Sequence, residues 1–469
     1  MLPDDVLLSI FDFCADQGQF FKPQIEAWQS LVHVCRRWRS LVFGSSSGLK
    51  LQLACSTYTP ARDTLDVWPS LPLRIECALL RPTEETVDNI IAVLERRDRV
   101  CQIRLGDVPS SYLENVLAAM QEPFPELTAL RFRVKGKGSV VPDSFLGGSA
   151  PRLQELLLNS FSFPGLPKLL LSATNLGTLH LSKIPHSGYI SPEAMATALS
   201  TLTSLRELLL HFQSPRSYPD RASRRQPPPT PLVLPVLTTF WFTGVSEYLD
   251  DLVARADAPQ LSILFITFFN QILFDTPQLI KFIRRTPMLR ALEKAHVAFK
   301  APKARVSFSS QAESRRPVLI VAILCTELDW QVSSLEQIIT SCLPPLPMLE
   351  DLYIYKDIYY VLPNWQDNIE NALWLELLQP FTAVKNLHLC EEFALRVAPA
   401  LQELVGGRTT EVLPTLQNLF LEELQPPGPV QEGMVGKFIS ARQDTSYPIT
   451  VRWGSLIRDK VPEIGTVSF

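Results

Sequence analysis

LPMLEDLYIYK, Leu346 to Lys356, contains the six-residue stretch LEDLYI, which begins at Leu349 and carries apolar residues at its first, fourth and sixth positions. Pro347 stops any preceding helix, and Leu352 and Ile354 alternate with Tyr353 and Tyr355 at the period of a strand with one buried face. The same spacing recurs along the chain. It begins at Val100 (VCQIRL), Leu127 (LTALRF), Leu153 (LQELLL), Leu176 (LGTLHL), Leu205 (LRELLL), Leu237 (LTTFWF), Leu261 (LSILFI), Val318 (VLIVAI), Val384 (VKNLHL) and Leu416 (LQNLFL), with a degraded copy, LRALEKAHV, at Leu289. Successive starts lie 23 to 35 residues apart, and recurrence at such intervals marks a repeat architecture.

Between these stretches the sequence predicts amphipathic helices: TVDNIIAVLERR, YLENVLAAM, YLDDLVARA and LEQIITSCL. Ser191-Pro192 and Thr276-Pro277 each read as a cap followed by a proline in the first helical turn. Proline then leads into strand after strand, as in FPELTAL, APRLQEL, LPVLTTF and LPTLQNL. Helix, proline turn and short strand predict an α/β repeat solenoid, in which each unit buries its apolar face against its neighbours. The units resemble leucine-rich repeats, and the resemblance implies an irregular horseshoe. The ninth repeat position, usually asparagine or cysteine in that family, is Lys135, Phe161, Ile184 or Gln213 here, so uneven curvature is expected. Ser214–Pro231 reads as an exposed proline-rich loop. Residues 430–469 read as a C-terminal cap with PITVRW as its edge strand.

Composition narrows the function classes. The 39 prolines against 19 glycines fit many element boundaries, and a net charge of −4 offers no basic field for nucleic acid. The N-terminus carries Asp4 and Asp5 where a secretory signal has basic residues. The most apolar stretch, Leu261 to Phe274, is too short for a membrane span and contains Asn270 and Gln271. The eight cysteines are scattered singly without C-x-x-C, which predicts reduced thiols in a cytoplasmic or nuclear protein and no metal site. Gly44–Gly48 matches G-x-S-x-G in letters only, since a helix precedes it and a strand follows. The GKGS at Gly136 lacks the spacing of a phosphate loop, and the six histidines have no ligand spacing. No cofactor and no catalytic activity are expected.

The first forty residues hold two short, very apolar helices: LPDDVLLSIFDF from Leu2, and a second from Glu26 to Phe43 containing LVHVCRRWRSLVF. Together they leave more apolar surface than two helices can hide against each other, while Arg36, Arg37 and Arg39 read as a solvated face. Both ends of this stretch, in this order, resemble the F-box. The resemblance implies a small all-α F-box over residues 1–43, joining strands over 44–80 and a repeat array over 81–429. It also implies that Leu2, Pro3, Val6, Leu7, Ile10, Phe11, Leu31, Val34, Cys35 and Trp38 contact a Skp-type adaptor. The join after the helices is similar to that of a large fungal F-box family, found especially in mushroom-forming species.

Period-two alternation turns the third, fifth and seventh residues of each unit away from the leucine core. The face so defined carries Arg104, Arg131, Arg133, His180, His211, Trp241, Phe265, Tyr353, Tyr355, His388 and Phe420 as target-binding candidates, because exposed aromatics and arginines carry much of the energy of protein interfaces. The expected function is that of the substrate-recognition adaptor of an SCF-type cullin ubiquitin ligase. Its F-box would hold the Skp-type adaptor and through it the cullin, and its array an unidentified protein target. The alternative is a non-catalytic repeat scaffold or signalling protein acting outside a ligase complex.

Overall fold

The computed structural model describes residues 2–16, 27–45, 52–55, 65, 71–78, 83–135, 139–215, 230–271, 273–300, 302–310, 317–357, 369–404, 408, 410–421, 436, 438–440, 442–443 and 448–453. The chain divides into two compact units, residues 1–190 with 197–205 and residues 191–196 with 206–469, so the stretch 81–429 is shared between them.

The first unit opens with three helices, α1 (Asp4–Asp16), α2 (Ala27–Val32) and α3 (Arg36–Gly44). Six strands follow, each parallel to the next: β1 (Leu53–Cys55), β2 (Leu73–Ala78), β3 (Val100–Pro109), β4 (Ala129–Lys135), β6 (Glu155–Asn159) and β8 (Thr178–Ile184). A short parallel pair, β5 (Ser139–Val140) and β7 (Phe161–Ser162), stands apart from it. The helix Glu84–Leu94 links β2 to β3 and begins at a capping box between Thr83 and Thr86. Asp107, Ser160 and Lys183 have φ of 55°, 66° and 49°. Each occupies the eighth position of its repeat, so these strands break at a common phase.

The second unit contains β9 (Glu207–Phe212), β11 (Thr239–Gly244), β13 (Ile263–Phe269), β14 (Lys294–Lys300), β15 (Lys303–Ser309), β16 (Leu319–Leu324), β17 (Asp351–Lys356), β18 (Asn386–Leu389), β19 (Asn418–Leu421) and β20 (Thr450–Trp453). A separate short pair joins β10 (Leu232–Val233) to β12 (Ala256–Asp257). Sheet order departs from chain order at one place, running β13-β16-β15-β14-β17. The β14–β15 and β15–β16 pairs are antiparallel and the other neighbours in this unit are parallel. The expectation that VLIVAI is an ordinary unit is corrected here, since β16 is the last strand of a three-strand meander. β15, with Ala304, Val306 and Phe308 turned inward, belongs to no repeat.

The core follows the repeat spacing in both units. In all eleven full copies the first, fourth and sixth residues are at most 5% exposed. Helices cross between parallel strands and pack against their successors, Ser246–Val253 on Pro277–Arg285 and Leu328–Cys342 on Asn371–Leu378 among them. One capping expectation holds and one fails. The Ser191 hydroxyl accepts from the Ala194 amide at 3.2 Å. The Thr276 hydroxyl instead donates to the Ser341 carbonyl, and buried Asp250 on the neighbouring helix accepts from the Gln278 and Leu279 amides at 2.8 and 3.0 Å. A carboxylate supplied from outside the helix thus satisfies its free N–H groups and its dipole.

Candidate interaction surfaces

In the N-terminal helices, Leu7 and Phe11 turn inward at 3% and 0% exposure, with Phe11 edge-on to Trp38 at 4.9 Å. These two residues of the expected adaptor contact therefore form the helices' own core, while Leu31 and Trp38 are half-buried. A second stripe on α1, Val6, Ile10 and Phe13, faces outward at 39%, 42% and 67% exposure, with Leu2 and Val34 also exposed. The spacing i, i+4, i+7 makes it one continuous apolar face. Pro3 and Cys35 are exposed as well, and the Cys35 sulfur caps α3 by accepting from the Trp38 amide at 3.5 Å. Arg37 and Arg39 do more than solvate a face. Arg37 donates to the Leu2 carbonyl at 2.7 Å and pairs with Asp4, and Arg39 donates to the Val32 carbonyl at 3.0 Å, tying the three helices together.

The arginines of the first sheet are already engaged. Arg104 lies 3.8 Å from Glu76, Arg133 lies 2.8 Å from Asp107, and Arg131 pairs with Glu155. His180 sits at 5% exposure with Leu157 beside it in register. Burial, assisted by Arg131 against the opposing pull of Glu155, lowers its pKa to about 4.

In the second sheet, register carries one row of side chains from strand to strand: Leu209, Trp241, Phe265, Ile320, Ser307, His296, Tyr353, His388, Phe420 and Arg452. Four consecutive rings stack flat. Centroids are 4.4 Å apart for His296–Tyr353, 4.1 Å for Tyr353–His388 and 4.2 Å for His388–Phe420, with planes within 8°. The Arg452 guanidinium lies 5.6 Å from the Phe420 centroid at the end of the stack. The rings thus spend their faces on one another and turn their edges outward, and a ring edge is the electropositive part of the quadrupole. Trp241, Phe265, Tyr353, Tyr355 and Phe420 are half-buried, His388 is buried, and His211 lies half-buried opposite Thr243.

A polar row runs beside the stack, through Lys294, Asp351, Asn386, Asn418 and Thr450. Asn418 donates to Asn386 at 2.8 Å, Asn386 donates to Asp351 at 2.7 Å, and the His388 Nε2 stands 3.9 Å from Asp351. Burial works to raise the Asp351 carboxyl, but bonds from His388 and Asn386 with Lys294 nearby outweigh it and hold the pKa below its ordinary value. Sequence reasoning missed His296, because Glu293 and Lys294 displace it from the repeat spacing. The alternation in KAHVAFK was the available signal.

Among the described residues, no helix is long and apolar enough to cross a membrane, and no three His, Cys, Asp or Glu side chains gather as a metal site. Most of the Ser214–Pro231 loop, of the 44–80 join and of the 430–469 cap lies outside the described residues, as do Ser46–Gly48 and Gly136–Gly138. No protein-family model and no curated protein matches the chain.

Proposed function

We propose that the chain is the substrate-recognition subunit of an SCF-type cullin ubiquitin ligase, acting in the cytoplasm or nucleus. In this reading α1–α3 are an F-box that docks a Skp-type adaptor, and the strand–helix units form a leucine-rich-repeat-like solenoid that holds the target. The observation that carries the reading is the outward stripe Val6, Ile10 and Phe13, with Leu2 and Val34, on helices whose inner faces are already filled. Apolar surface of this kind, on helices tied together by Arg37 and Arg39, suits a partner helix. The ring stack and the polar row supply a rigid second face. Neither proposed role requires chemistry from the chain itself.

Co-expression with a Skp-type adaptor tests the reading. A stoichiometric complex is expected, and it should be lost on Val6→Asp or Ile10→Asp while the circular dichroism spectrum is unchanged. A folded chain that ignores the adaptor in pulldown overturns it and leaves a scaffold outside any ligase.

A further inference from the structure

Lys300 and Lys303 stand directly opposite each other across the β14–β15 hairpin, so their side chains share one face of the sheet. Like charges so opposed weaken a sheet. Arg305 adds a third cation two residues along the same strand. Asp357 serves two of the three: its Oδ2 lies 3.7 Å from the Lys300 ammonium and 3.4 Å from the Arg305 guanidinium. Lys356 nearby pairs with Glu392 at 3.1 Å. Lys303 reaches the Thr267 hydroxyl at 3.4 Å and lies 4.7 Å from the Phe265 centroid. Among the described residues no carboxylate oxygen lies within ion-pair distance of its ammonium, although the Asp357 charge acts on it, and the Arg305 Nε is buried without a hydrogen-bond acceptor.

An apolar cleft of about 320 Å³ adjoins this cluster. Its wall includes Pro302, which precedes Lys303, and Leu324, which is paired with Lys303 across the sheet. Trp330 also lines it and is 51% exposed. Two acids lie on that side: Glu327, which lines the cleft, accepts from the Thr326 hydroxyl at 3.2 Å, and Asp329 accepts from the Trp330 amide at 2.8 Å. Beneath, Gln331 donates to the Lys300 and Cys325 carbonyls at 3.0 and 2.6 Å, fastening the cleft to the hairpin.

A cluster that breaks the ordinary rule for cross-strand charge, beside an open apolar cleft, is a candidate binding site. We propose that Lys300, Lys303 and Arg305 bind the carboxylate of an acidic residue in a partner protein, and that the Trp330 cleft takes a large apolar side chain next to it. The occupant is a peptide segment pairing Asp or Glu with Phe, Trp or Leu. The incoming carboxylate supplies counter-charge through charge-assisted hydrogen bonds. This rests on reading the second sheet as the face that holds the target.

The test is a selection from a phage-displayed random peptide library on the purified full chain, without adaptor. Enriched peptides should carry an acid within two positions of a large apolar residue. Binding should fall about tenfold when that acid is amidated or on Lys303→Met, and clearly on Trp330→Ala, an exposed position that leaves folding intact. Melting curves should show Lys303→Met at least as stable as the parent. A selection that enriches no acidic peptide, or peptides held equally well by Lys303→Met, overturns the proposal. Adaptor capture is measured separately on the same proteins, and its failure with peptide binding intact counts against the ligase reading alone.

Discussion

His388 lies flat against Tyr353, 4.1 Å between centroids, and the other face of Tyr353 is covered by His296 at 4.4 Å. A ring sandwiched in this way is a structural member as well as a surface. Tyr353→Ala and His388→Ala should each lower the urea midpoint, and a double-mutant cycle should give a coupling of about 1 kcal/mol. Additive losses would mean that the stack contributes nothing beyond ordinary burial.

The two faces of α1 allow folding to be tested apart from the proposed docking. Phe11→Ala should cost about 3 kcal/mol, because the ring is fully buried against Trp38. Ile10→Asp should change stability little and remove adaptor capture. Thermal melts and pulldown on the same two variants give the comparison, and identical behaviour of the pair would contradict the assignment of faces.

Asp250 caps a helix to which it does not belong. Asp250→Leu should cost about 2 kcal/mol, since two amides lose their acceptor. Asp250→Asn keeps an oxygen in place and should recover a good part of that loss. Equal destabilisation by both would point to packing instead of the cap.

His180 carries a pH signature. Its folded pKa, near 4, lies below the ordinary 6.5, so the unfolded chain takes the proton first. Its contribution to stability is fully present above pH 6.5 and is lost as pH falls toward 4. In His180→Leu the fall in stability between these limits should be shallower than in the parent. Parallel curves for the two proteins would show that the imidazole titrates freely.

The inward residues of the repeat were legible in the sequence because three apolar positions at a fixed spacing define a buried face whatever the partner. The outward residues were legible by direction only. Alternation puts Tyr353 and His388 away from the core, but lateral register decides that their rings touch each other, and no single strand encodes register. Arg131 and Arg133 stand among the outward binding candidates because alternation does not show their partners, Glu155 and Asp107, which come from neighbouring strands. β15 lies outside the repeat spacing because an antiparallel strand needs no helix and no leading leucine, and its Ala304, Val306 and Phe308 show only bare alternation. Asp250 was invisible as a cap because the helix it serves starts 27 residues later, at Pro277.

The hairpin of β14 and β15 also has a temporal meaning. Lys300 and Lys303 face each other across a two-residue link, a closure that takes microseconds, whereas each parallel neighbour must wait for a whole helical crossover to be drawn together. The hairpin is therefore expected to close before its parallel neighbours, despite the opposed lysines, and φ-values on Val297 and Val306 higher than those on β9 and β20 would show it.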